Sequence, residues 1–76
     1  MTLRIGRRGT WKVETFADAS RIYETERDRS GEGASTFPEG WVIDGGTRYR
    51  VSYNGRIWTK EPWRDGRRPT LVYDNR

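Results

Sequence analysis

Six arginines, Arg48, Arg50, Arg56, Arg64, Arg67 and Arg68, crowd one stretch of the chain together with Lys60, Trp58 and Trp63. Guanidinium groups grip phosphates and carboxylates in a planar, bidentate fashion. Exposed aromatic rings stack on bases, as sheet-face readers of single strands do. The pattern could therefore neutralise a phosphate backbone and stack on its bases. The same pattern also fits the solvated outer face of any antiparallel sheet. Arg48, Arg50, Arg56, Arg64, Arg67 and Arg68 are the expected phosphate or acidic contacts, with Trp63 as the stacking residue.

Other chemistry is poorly provided for. The chain has no histidine and no cysteine. It therefore lacks the usual general base near neutral pH, a thiolate nucleophile and the common zinc or copper ligands. A serine nucleophile would need a lysine or carboxylate partner, and neither Lys12 nor Lys60 has a recognisable companion motif. Paired carboxylates could support glycosidase-type chemistry, but a chain of 76 residues can hardly enclose a substrate cleft. Calcium-loop spacing is missing as well. The expectation is a non-enzymatic protein with no cofactor, no metal and no evident small-molecule substrate.

The stretch SGEGASTFPEG, residues 30 to 40, raises the question of a phosphate loop. Such a loop works because a strand delivers the chain to a glycine turn and a helix then begins, aiming N–H groups at the anion. Here a helix precedes the glycines, so the nearest helix end presents carbonyls, and Glu32 and Glu39 add negative charge. The stretch reads as a helix cap and connector, with Phe37 dipping into the core. A backbone nest is the alternative.

The positioning elements follow from periodicity. Leu3 and Ile5, then Trp11 and Val13, alternate with polar residues around Gly6-Arg7-Arg8-Gly9, which predicts a hairpin of residues 2 to 5 and 10 to 14. Thr15 with Asp18 three residues on is an N-cap signature. Phe16, Ala19, Ile22 and Tyr23 then share a stripe, predicting an amphipathic helix over 16 to 29 that ends near Gly31. Period-two patterning predicts strands near 40 to 43, 47 to 53 and 56 to 60, with a last strand at Thr70 to Tyr73.

Asn54-Gly55 suits a two-residue type I′ turn. That register would set Tyr53 opposite Arg56, Val51 opposite Trp58 and Tyr49 opposite Lys60 on the helix-facing side. Ser52 would oppose Ile57, Arg50 would oppose Thr59 and Arg48 would oppose Glu61 on the other side. At Asp44-Gly45-Gly46 a three-residue loop would turn Trp41 and Ile43 to the core, and a Gly45-Gly46 loop would turn Val42 there. The first buries more and is preferred. Val42 and Ile57 would then lie outward beside the arginines.

The sum is one α+β domain over residues 1 to 76: an antiparallel sheet, made of a hairpin, a three-stranded meander and an extra edge strand, with one helix packed on one face. Leu, Ile, Val and Phe number only twelve, so the core must lean on the four Trp and four Tyr, and residues 1–2 and 74–76 are expected to fray. Thirteen of fifteen basic residues are arginine and the net charge is +4, a modest field softened by interspersed acids. A GC-rich coding bias would also favour arginine. No apolar run approaches a membrane span, and Met1-Thr2-Leu3-Arg4 leads into no signal-peptide core; a cytoplasmic location is expected.

The run FADASRIYETERDRSGEGASTFPEG followed by YRVSYNGRIW resembles short uncharacterised proteins of GC-rich bacteria and their phages. The resemblance covers roughly residues 11 to 58 and implies a similar fold, with no activity attached. The strand, helix and meander order also resembles some small phage-borne inhibitors of CRISPR complexes, at the level of fold alone. The expected function is a small binding module with nucleic acid as partner. The alternative is a protein-interaction module, as a homodimer or as an accessory or inhibitor of a host or phage complex, because aromatic, Arg-rich patches are also what interface hot spots contain.

Overall fold

The computed structural model describes residues 1–59 and 68–76. Its order is β1 (Thr2–Ile5), β2 (Gly9–Lys12), α1 (Phe16–Ser30), β3 (Gly40–Asp44), β4 (Thr47–Val51), β5 (Ile57–Thr59) and β6 (Leu71–Tyr73). These strands form one antiparallel sheet in the order β2-β1-β3-β4-β5-β6. One helix covers one face, which is the expected α+β arrangement. Among the described residues no helix is long and apolar enough to cross a membrane.

The helix begins where its cap chemistry places it. Thr15 is extended, and its Oγ1 accepts from the Asp18 N–H at 3.1 Å, satisfying one of the donors that an open helix end leaves unpaired. Gly31 closes the other end in the left-handed region at φ 70°, which glycine enters without the penalty of a Cβ. Beyond it, the Thr36 and Phe37 N–H groups both turn back to the Gly33 carbonyl. Phe37 is buried, so residues 30 to 40 form a cap and connector.

Ala19, Ser20 and Tyr23 are the buried positions of α1. Beneath them lie Leu3, Ile5, Val42, Val51 and Ile57, all fully buried, and each such side chain contributes about 1.5–3 kcal/mol by leaving water. Tyr23 meets Phe37 edge-to-face with ring centroids 5.4 Å apart, and Phe16 meets Tyr49 in the same way at 5.0 Å. Helix and sheet approach so closely because β3 starts with glycine. A Cβ on Gly40 would stand 2.9 Å from the Tyr23 ring and 3.2 Å from the Val51 Cβ.

Two registers differ from those expected, each by one residue. At the β4–β5 hairpin, Tyr49 pairs with Thr59, Arg50 with Trp58 and Val51 with Ile57. The Gly55 N–H bonds the Ser52 carbonyl, the Ser52 N–H bonds the Arg56 carbonyl, and Gly55 sits at φ 89°. This is a three-residue loop closed by a left-handed glycine, not the expected type I′ turn. It places two β-branched side chains, Val51 and Ile57, under the helix. The other register would have forced the Trp58 indole into that space and left Ile57 in water.

At the β3–β4 hairpin, Asp44 pairs with Thr47 around Gly45-Gly46, with Gly45 at φ 59°. The expectation that Trp41 and Ile43 face the core is therefore corrected: Val42 is the fully buried residue, and Trp41 and Ile43 join the opposite face. The reason lies at Gly40. Gly40 itself must lie on the helix side, because only a residue without a Cβ passes under Tyr23, and strand alternation then puts Val42 on that side and Trp41 and Ile43 on the other.

The β4–β5 loop is also bound to the helix. Ser20 Oγ, buried, donates to the Gly55 carbonyl at 2.7 Å, and Arg27 donates to the Tyr53 carbonyl at 2.7 Å while lying over the Tyr53 ring. Asn75 reaches the Asn54 carbonyl and Glu24.

Two substitutions test this packing. Gly40→Ala introduces a methyl with no room and should lower unfolding stability by about 1–3 kcal/mol, read as a reduced urea midpoint. Ser20→Ala strands the Gly55 carbonyl and should cost about 1–3 kcal/mol. A loss below the error of the denaturation curve in either case would contradict the account given for that residue.

Candidate nucleic-acid interface

The two register shifts rebuild the face turned away from the helix. Cross-strand neighbours run across it in one row: Thr10 on β2, Arg4 on β1, Trp41 on β3, Arg50 on β4, Trp58 on β5 and Leu71 on β6. A second row holds Lys12, Thr2, Ile43 and Arg48. Trp41, Ile43, Trp58 and Leu71 have no part in the core cluster. Directly opposed Cβ atoms in an antiparallel pair stand only about 5 Å apart, so cationic and indole residues alternate as immediate neighbours from Arg4 to Trp58 along the first row.

Of the residues expected from the sequence, Arg48 and Arg50 stand on this face as anticipated. Arg48 is exposed, and Arg50 is half-buried, with its Nη1 on Glu39 Oε2 at 2.5 Å. Arg56, expected on the helix-facing side, precedes Trp58 by two residues in the outer alternation, and its Nε pairs with Asp74 Oδ1 at 3.3 Å. Arg68 is exposed just before β6. Trp63, Arg64 and Arg67, together with Lys60 and the Glu61 expected opposite Arg48, lie outside the described residues.

Sequence reasoning left out Arg4 and turned Trp41 and Trp58 towards the core. Arg4 was legible, since it alternates with Leu3 and Ile5. The tryptophans were not, because their side depends on turn lengths that two glycine-containing loops leave open. Trp58 is held by its Nε1–H, which donates to Ser52 Oγ at 3.1 Å on the same face. The pairing satisfies the polar edge of the half-buried indole.

A cleft of about 470 Å³ opens at the β1 and β3 end of the face, lined by Arg4, Gly6, Arg7, Pro38, Glu39, Trp41, Ile43 and Arg48. Its floor is pinned from below. Tyr23 crosses the core and donates its hydroxyl to the Pro38 carbonyl at 2.9 Å, and the Pro38 ring packs close against Gly6. At the loop side, Arg8 pairs with Glu32 at 2.5 Å and lies over the Phe37 ring. Arg4 Nε donates to the Gly6 carbonyl. Among the described residues, Arg4, Arg7 and Arg48 have no carboxylate partner.

Among the described residues no group of three His, Cys, Asp or Glu side chains could hold a metal ion. Comparison with family models, with curated proteins and with solved structures gives no match.

Burial, reinforced by the nearby Glu39 charge, pushes the Tyr23 hydroxyl up to about 12 from an ordinary 10.0. The neutral phenol is the form the folded state prefers, so this contribution to stability is complete below pH 10.0 and is lost as pH rises towards about 12. Thermal melts across this range should show the loss in the wild type and a weaker dependence in Tyr23→Phe. An equal slope in both proteins would exclude Tyr23 as the group responsible.

Proposed function

We propose that this protein is a small non-enzymatic binding module that takes single-stranded nucleic acid on its outer sheet face. One observation carries this reading: Arg4, Trp41, Arg50 and Trp58 are successive neighbours across four strands. Stacking on an indole is worth roughly 1–3 kcal/mol per base and tolerates any base, while each arginine offers a donor fork to the backbone between stacked bases. The sheet holds both groups in fixed register, so little ordering is needed on binding. Arg68 adds a cation just before β6, and Arg64 and Arg67, with Trp63 for stacking, stay contacts expected from the sequence alone.

A protein partner is the second reading, favoured by Leu71. It is 39% exposed and stands beside Trp58 on the strand that ends the sheet, where another chain could add a strand.

Titration of tryptophan fluorescence with a mixed-sequence ten-nucleotide single strand separates the two. The nucleic-acid reading expects quenching, with affinity falling steeply between low and high salt because phosphate neutralisation releases counterions. Trp41→Ala and Trp58→Ala should each weaken binding by about 1–3 kcal/mol, with circular dichroism reporting that the fold persists. Absence of binding at low salt would overturn the proposal and leave the protein-partner reading.

A further inference from the structure

Resting on the nucleic-acid reading above, the geometry points to the cleft beside Trp41 as a subsite in which Glu39 reads one base and selects guanine. The volume of about 470 Å³ lies within the roughly 300–1,000 Å³ of small-ligand sites. Trp41 supplies a stacking wall, and Arg4, Arg7 and Arg48 supply cations around the rim. A nucleotide has matching parts: a flat base and flanking phosphates.

Among the described residues Glu39 is the one acid lining this cleft, and it would repel a phosphate. It must therefore face the other end of the nucleotide. Its position is fixed twice over. Arg50 Nη1 holds Oε2 at 2.5 Å, and the backbone before it is anchored by the Tyr23 hydroxyl on the Pro38 carbonyl. The side chain is nonetheless 52% exposed, so a ligand can reach it. Glu39, Trp41 and Ile43 follow in the same alternation, which sets the carboxylate beside the indole.

An ionised carboxylate only accepts hydrogen bonds, and its two oxygens offer about four lone-pair directions, of which Arg50 takes one. The base that suits it is the one with two adjacent donors on its Watson–Crick edge. Guanine has them, in N1–H and the N2 amino group. Adenine and cytosine each place a single amino donor beside a ring nitrogen acceptor, and thymine or uracil flanks one N–H with two carbonyls. In each of those cases an acceptor meets the carboxylate. Single strands leave this edge open to be read.

The test compares four labelled thymidine-rich pentamers with guanine, adenine, cytosine or thymine at the centre, using fluorescence anisotropy at one low salt concentration. The guanine pentamer should bind about tenfold more tightly than the adenine one, the discrimination that a good bidentate base contact gives. Glu39→Gln replaces one acceptor oxygen by a donor and should bring the four affinities to within about twofold of each other, while overall binding persists through the arginines and indoles. Equal affinity of the wild type for all four pentamers, or an undiminished guanine preference in Glu39→Gln, would overturn the inference and leave the general interface standing. Failure of every pentamer to bind wild type would sink the interface and the subsite together.

Discussion

The three-residue turn from Ser52 to Arg56 is the constraint on which the rest depends. A loop one residue shorter would pass every side chain of β5 to the other side of the sheet. Ser20 prevents this by reaching from the buried face of α1 to the Gly55 carbonyl, and the left-handed Gly55 supplies the bend. With the turn held there, Ile57 completes the core and Trp58 comes out beside Arg50. The helix thus acts on the far face without touching it.

The second constraint is the missing side chain at Gly40. Tyr23 lies where a Cβ would be, so the largest buried side chain of the helix sits directly on the sheet backbone. Its hydroxyl then reaches through to the Pro38 carbonyl at the floor of the outer cleft. Core packing and the shape of that cleft are one arrangement: the chain entering β3 is placed by a residue from the opposite layer. Glu39 inherits its position from this, and Arg50 is fixed in turn through Glu39.

A two-layer domain this small has only one sheet face to spend on its core. With Leu3, Ile5, Val42, Val51 and Ile57 filling that face, the large aromatics Trp41 and Trp58 fall outside it. Both are half-buried on the outer face, where Arg4 and Arg50 flank Trp41 and Arg50 stands opposite Trp58 across the strands. Long cationic side chains cover part of such apolar surface while holding their charge in water, which explains how a sheet can carry indoles outward beside Arg4, Arg48 and Arg50.

Local chemistry was legible without coordinates. Thr15, Asp18 and Gly31 mark the ends of α1 because a cap needs only residues within one turn of it, and Leu3 and Ile5 alternate with Arg4 because a strand has period two whatever it packs against. The class of fold, one helix on an antiparallel sheet, follows from those signals in order. The sequence by itself therefore determined the elements, their kinds and the outward placement of Arg48 and Arg50. It could not decide which side Trp41, Val42, Ile57 and Trp58 would take. Asn54-Gly55 and Gly45-Gly46 are each compatible with loops of two or three residues, and the choice rests on what fits beneath Tyr23 and what meets Ser20. Those are contacts between segments far apart in the chain, so only the tertiary structure decided them, and with them the composition of the outer face.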